Sequence, residues 1–99
     1  MLMAAVFASC TSTRLVYRLS ADEPLAKAVC KQVAPGGSVD ERANGWWRCS
    51  VLHQLHFDVS QSGTVLRIAA PRSLSTEISL RVGQVAAEHH LEVELVESD

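Results

Sequence analysis

From Arg14 the chain alternates. Leu15, Tyr17 and Leu19 fall on one side of an extended segment and Arg14, Val16 and Arg18 on the other, the period of a half-buried strand. The period then lengthens, because Leu25, Ala28, Val29, Gln32 and Val33 recur at helical spacing. Ser20 and Glu23 have capping-box spacing, and Pro24 follows in the first turn, where a missing N–H costs little. Pro35-Gly36-Gly37 stops this helix, and the polar stretch from Ser38 to Gly45, ending in Asn44-Gly45, reads as a loop.

From Trp46 the alternation returns. Trp47, Cys49, Val51, His53, Leu55, Phe57 and Val59 share one side; Trp46, Arg48, Leu52, His56 and Asp58 share the other. So long a run predicts one strand with a bulge or bend between Leu52 and Leu55. Ser60 to Gly63 reads as a turn, and Thr64 to Ala70 as a returning strand with Leu66 and Ile68 inward and Val65 and Arg67 outward. After Pro71, Ser73 or Ser75 is placed to cap a second helix whose stripe is Ile78, Val82, Val85, Ala86 and His89, with Gly83 read as a point of close packing on the sheet. Leu91 to Glu97 is the last strand, with Leu91, Val93 and Leu95 alternating against Glu92, Glu94 and Val96.

The order β-α-β-β-α-β predicts an α+β domain over residues 13–99, a ferredoxin-like split βαβ sandwich. Its sheet has four antiparallel strands in spatial order 4-1-3-2, with both helices on one face. Residues 1–12 are expected to form an arm or an extra strand. Topology of this kind hosts many unrelated activities and assigns none.

Composition narrows the class. Apolar residues make up 47% and charged residues 20% of 99, as in soluble globular chains, and the net charge of −2 lacks the basic excess of a protein that coats nucleic acid. The charge is unevenly placed: residues 1–72 sum to +3 and residues 73–99 to −5. Three cysteines without CxxC spacing, Cys10, Cys30 and Cys49, read as small buried hydrophobes of a reducing compartment, so a cytoplasmic location is expected. Phe7-Ala8-Ser9-Cys10 loosely resembles a lipoprotein cleavage box but has no basic residue before it, and membrane contact is expected only if residues 1–10 are a truncated signal of that kind.

With the helices on one side, the other face of the sheet presents Trp46, Arg48, Leu52, His56, Arg67 and Arg18 as the candidate binding face. Arg14 and Arg18 are expected to neighbour Glu92 and Glu94 across strands. Trp and Arg are the residue types most enriched at interface hot spots. The expected function is therefore that of a small non-enzymatic protein-binding module (inhibitor, adaptor or regulatory subunit) acting through the open face or an edge strand, on another protein or as a homodimer. No catalytic residue or cofactor is expected.

Two other readings compete. Cys49, His53 and His56 would be the ligands or reacting groups of a small metal-binding or hydrolytic domain, but parity sends His56 to the opposite side. On an ideal strand Cys49 and His53 stand about 13 Å apart, too far for proton transfer. A single-stranded nucleic-acid module would use Arg48, Arg67 and Trp46, yet only one aromatic faces outward to stack a base.

Overall fold

A computed structural model describes residues 12–51 and 55–98. The elements are β1 (Ser12–Leu19), α1 (Ala26–Val33), β2 (Val39–Glu41), β3 (Trp46–Ser50), β4 (His56–Ser62), β5 (Val65–Pro71), α2 (Ser75–Glu88) and β6 (Val93–Ser98). The strands form one antiparallel sheet in the order β2-β3-β4-β5-β1-β6. Among the described residues this is a mixed α+β domain with two α-helices and six strands, consistent with a ferredoxin-like fold. The expected order 4-1-3-2 survives inside it as β6-β1-β5-β4, but the sheet is two strands wider than the four expected.

Both added strands come from the first half of the chain. The run from Trp46 to Val59 is a hairpin, not one bent strand: Trp47 lies opposite Val59 and Cys49 opposite Phe57. The sequence between the two strands holds none of the Gly, Pro, Asn or Asp that usually mark a reversal. The side assignments hold nonetheless for the paired residues Trp46–Ser50 and His56–Val59, since directly opposed residues of an antiparallel pair share a face. The segment read as a loop supplies β2. Asn44 and Gly45, at φ +62° and +78°, form the tight turn from β2 into β3, closed by the Trp46 N–H on the Ala43 carbonyl. The turn from β4 to β5 is shorter than expected, Gly63-Thr64 alone, because Ser62 already pairs with Val65.

One face of the sheet carries the core. Leu15, Tyr17 and Leu19 of β1, Phe57 and Val59 of β4, and Leu66 and Ile68 of β5 are buried against Val29 and Val33 of α1 and Ile78, Val82 and Val85 of α2. A fully buried Leu, Ile, Phe or Val contributes about 1.5–3 kcal/mol relative to exposure, so this two-layer contact dominates the stability of a small domain. The Tyr17 hydroxyl reaches Ser79 Oγ at 2.8 Å, and burial holds the phenol above its ordinary value, partly offset by that bond.

Neither helix is capped as its sequence predicts. Leu25 occupies the N-cap of α1, and its N–H is taken 2.7 Å away by the side-chain carbonyl of Gln61, from β4. The Gln61 amide also donates to the carbonyls of Glu23 and Gly63, at 2.6 and 3.0 Å. Ser20 and Glu23 turn elsewhere: Ser20 Oγ accepts from the Glu92 N–H at 2.9 Å, and the Glu23 carboxylate holds His89 Nδ1 at the end of α2. Leu74, not a serine, is the N-cap of α2. At the other end the Leu91 and His90 N–H groups bond back to Ala86 and Ala87, a Schellman ending with His90 at φ +59° where glycine is the usual residue. A Cβ added at Gly83 would meet nothing within 4 Å, so close packing does not explain that glycine.

Cys30 and Cys49 are joined in a disulfide that ties α1 to β3, with 5.4 Å between Cα atoms and both residues fully buried. This corrects the reading of three free cysteines. An odd count concealed one pair, because nothing in the spacing shows that a helix residue and a strand residue 19 positions on will meet. Of residues 1–12, expected to form an arm or an extra strand, Ser12 begins β1, and residues 1–11, with the stretch that loosely resembles a lipoprotein cleavage box, lie outside the described residues.

Candidate binding face on the open side of the sheet

Register places the side chains of the uncovered face in rows. One row crosses the sheet as Trp46, Ser60, Arg67, Val16 and Glu97; the next runs Asp40, Arg48, Asp58, Ala69 and Arg14. Strands lie about 4.8 Å apart and alternate residues on one strand about 6.8 Å apart, so Arg67 and Arg14 sit on a diagonal of roughly 8 Å between Cα atoms. These rows floor a shallow hollow of about 670 Å³. Arg42 and Ala43, from the turn between β2 and β3, stand at its side.

Four arginines line the hollow against two carboxylates, Asp58 and Glu97. Asp58 is already engaged: Arg48 Nε and Nη2 donate to its two oxygens at 2.9 and 3.2 Å. That hydrogen-bonded charge pushes the Arg48 guanidinium above its ordinary value. Arg14, Arg42 and Arg67 are exposed and form no ion pair among the described residues. Trp46 is half-buried beside them, and with Val16 and Ala69 it gives the hollow an apolar floor.

The six expected face residues divide accordingly. Trp46, Arg48 and Arg67 come together, although Arg48 is held by Asp58 and is not the free cation the sequence indicated. His56 is exposed one row beyond Asp58, opposite Ser50, and lines a neighbouring hollow of about 430 Å³ that shares Asp58 and Ala69. Arg18 lies at the other end of β1, paired with Glu94 at 3.8 Å, as expected of a cross-strand neighbour. Leu52 lies outside the described residues.

Arg14 does not meet Glu92. A register shift between Val16 and Tyr17 leaves Val96 unpaired in β6 and brings Glu97 opposite Val16, so Glu97 replaces Val96 on the open face. Reasoning from the sequence placed Arg14 on this face but assigned it to a cross-strand ion pair, and it missed Arg42 and Glu97 as members of the hollow. Arg42 had a signal, the Asn44-Gly45 turn two residues on; the bulge that moves Glu97 had none.

The alternative set Cys49, His53 and His56 does not assemble. The Cys49 sulfur is in the disulfide and faces the core, His56 faces the opposite side, and His53 lies outside the described residues. Among the described residues no three His, Cys, Asp or Glu side chains converge as metal ligands would. No helix among them is long and apolar enough to cross a membrane.

Compared with known proteins, the chain matches no family model, no curated protein and no solved structure.

Proposed function

We propose that this domain is a non-enzymatic binding module that engages another protein through the open face of its sheet, in the manner of an inhibitor, adaptor or regulatory subunit. The observation that carries the reading is the hollow of about 670 Å³, floored by Trp46, Val16 and Ala69 and lined by arginines. An amphipathic aromatic next to several guanidinium groups is the composition of an interface hot spot. The helices keep the opposite face for the core, and no helix or strand among the described residues covers this side of the sheet, which leaves it for a partner.

We also propose an oxidising compartment rather than the cytoplasm. The support is the Cys30–Cys49 disulfide, a bond that reducing compartments seldom retain.

The test is site-specific photo-crosslinking in the native host, from a benzophenone side chain at Ala69 in the hollow or at Ala87 on the exposed side of α2. An adduct formed from position 69 and not from position 87 is the expected result. Adducts from position 87 alone, or none from 69, would sink the reading.

A further inference from the structure

We infer that the partner presents a short acidic segment to the hollow, held by Arg14, Arg42 and Arg67, and is not a second copy of this chain; this rests on the open face being the binding surface. Of the four arginines, Arg48 is neutralised by Asp58 through two hydrogen bonds, and among the described residues lining the hollow Glu97 is the one carboxylate left to offset the other three. The hollow therefore carries excess positive charge on exposed guanidinium groups suited to bidentate carboxylate contacts.

Symmetry argues against self-association here. Two copies meeting with a twofold axis through the hollow would bring the same cluster of guanidinium groups together, an unfavourable like-charge contact. The borders of the sheet are acidic instead: β2 carries Asp40 and Glu41 at one edge, and β6 carries Glu94 and Glu97 at the other. Such edges oppose strand-to-strand pairing between copies.

The same borders set the size of the occupant. A polyanion running on past the hollow in either direction across the sheet would meet those carboxylates. A nucleic-acid strand, charged at every residue, is disfavoured on that ground, and the face offers it one aromatic to stack on. A segment of a few acidic residues beside an apolar one, which rests on Trp46, satisfies both the basic centre and the acidic rim.

Titration of the isotope-labelled, disulfide-intact protein with four ten-residue probes reads this directly by amide shifts. The probes are an Asp/Glu-Leu peptide, a neutral Ser-Leu peptide, a Lys-Leu peptide and a deoxythymidine oligonucleotide. The acidic peptide is expected to shift β1, β3 and β5 around Arg14, Trp46 and Arg67. The charge-reversed pair Arg14→Glu and Arg67→Glu, or the milder Arg14→Gln and Arg67→Gln, is expected to weaken it at least about ten-fold with the remaining spectrum preserved.

Equal shifts on this face by the neutral peptide would overturn the acidic specificity and leave the protein-binding reading intact. Stronger shifts by the oligonucleotide, shifts confined to the helices, or no shift with any probe would overturn both. A dimer whose contacts map to Arg14 and Arg67 would overturn the exclusion of a second copy.

Discussion

Arg48 and Asp58 face each other in register across β3 and β4, and the guanidinium meets both carboxylate oxygens, at 2.9 and 3.2 Å. The pair lies in the floor of the hollow, so its charges cancel where those of Arg14, Arg42 and Arg67 do not. Removing one member therefore changes the electrostatics of the site more than the fold. Asp58→Asn keeps the shape, leaves Arg48 free to turn toward a ligand, and adds one positive charge. Its affinity for the acidic peptide is expected to rise about three- to ten-fold, with a steeper dependence on salt. Isothermal titration at two ionic strengths checks this, and an unchanged or weaker affinity would contradict it.

The disulfide should matter to the site as well as to stability. Cys30 and Cys49 enclose the whole segment that builds one wall of the hollow, including β2, Arg42, Trp46 and Arg48. Closing a loop with a separation of 19 residues contributes about 3 kcal/mol in the chain-entropy account. Replacing both cysteines with alanine is expected to lower stability by roughly 2–4 kcal/mol. Peptide affinity should fall more in this variant than in one equally destabilised through α2, such as Val85→Ala. Thiol labelling of the unreduced, denatured chain should modify neither Cys30 nor Cys49; labelling of both would remove the premise.

Gln61 is the fastener between β4 and the start of α1. It takes the Leu25 N–H and donates to Glu23 and Gly63, work that the sequence assigned to a capping box of Ser20 and Glu23. Gln61→Ala leaves the Leu25 N–H, in a fully buried residue, without its acceptor. The expected loss is about 1–3 kcal/mol, read by denaturant unfolding. Ser20→Ala should cost less, since it removes one exposed contact to β6. The reverse ranking would restore the capping box.

How far the sequence could be read follows from which signals were local. The faces of β1 and β5 were legible because alternation fixes them residue by residue, and the stripe Ile78, Val82, Val85 and Ala86 was legible for the same reason. The reversal between β3 and β4 was not, since Val51 to Leu55 contains no turn residue. The turn at Asn44-Gly45 did carry a signal, masked by a preceding strand of three mostly polar residues. The candidate face was half legible: parity found Trp46, Arg48 and Arg67, while Arg42 depended on the extra hairpin and Glu97 on a bulge. The pairings of Cys30 with Cys49 and Glu23 with His89 join distant parts of the chain, where no periodicity reaches.

Two positions, one within α2 and one just past its end, should accept more stable residues. Gly83 lies within the helix with open space where its Cβ would be, so Gly83→Ala is expected to add about 1 kcal/mol. His90 holds a left-handed backbone conformation that glycine adopts without cost, and His90→Gly is expected to add about 0.5–1 kcal/mol. Each corresponds to a rise in melting temperature of several degrees in a domain of this size. A fall at Gly83→Ala would mean that the site contacts something outside the fold described.

Tyr17 should make stability fall at alkaline pH. Burial raises its phenol above the ordinary value of 10, and the bond to Ser79 offsets only part of that. As pH climbs past this value the unfolded chain releases the proton first. The unfolded state then binds fewer protons than the native state, and the free energy of unfolding declines with pH. Below the unfolded value both states are protonated and the contribution is constant. Because Tyr17 is the one tyrosine in the chain, tyrosinate absorbance reports it alone. The folded protein should ionise at higher pH than the urea-unfolded protein. The drop in melting temperature between about pH 9 and about pH 11 should be smaller in Tyr17→Phe than in the parent. Coincident titration of the folded and unfolded forms would show that Tyr17 is not shielded as its position between β1 and α2 requires.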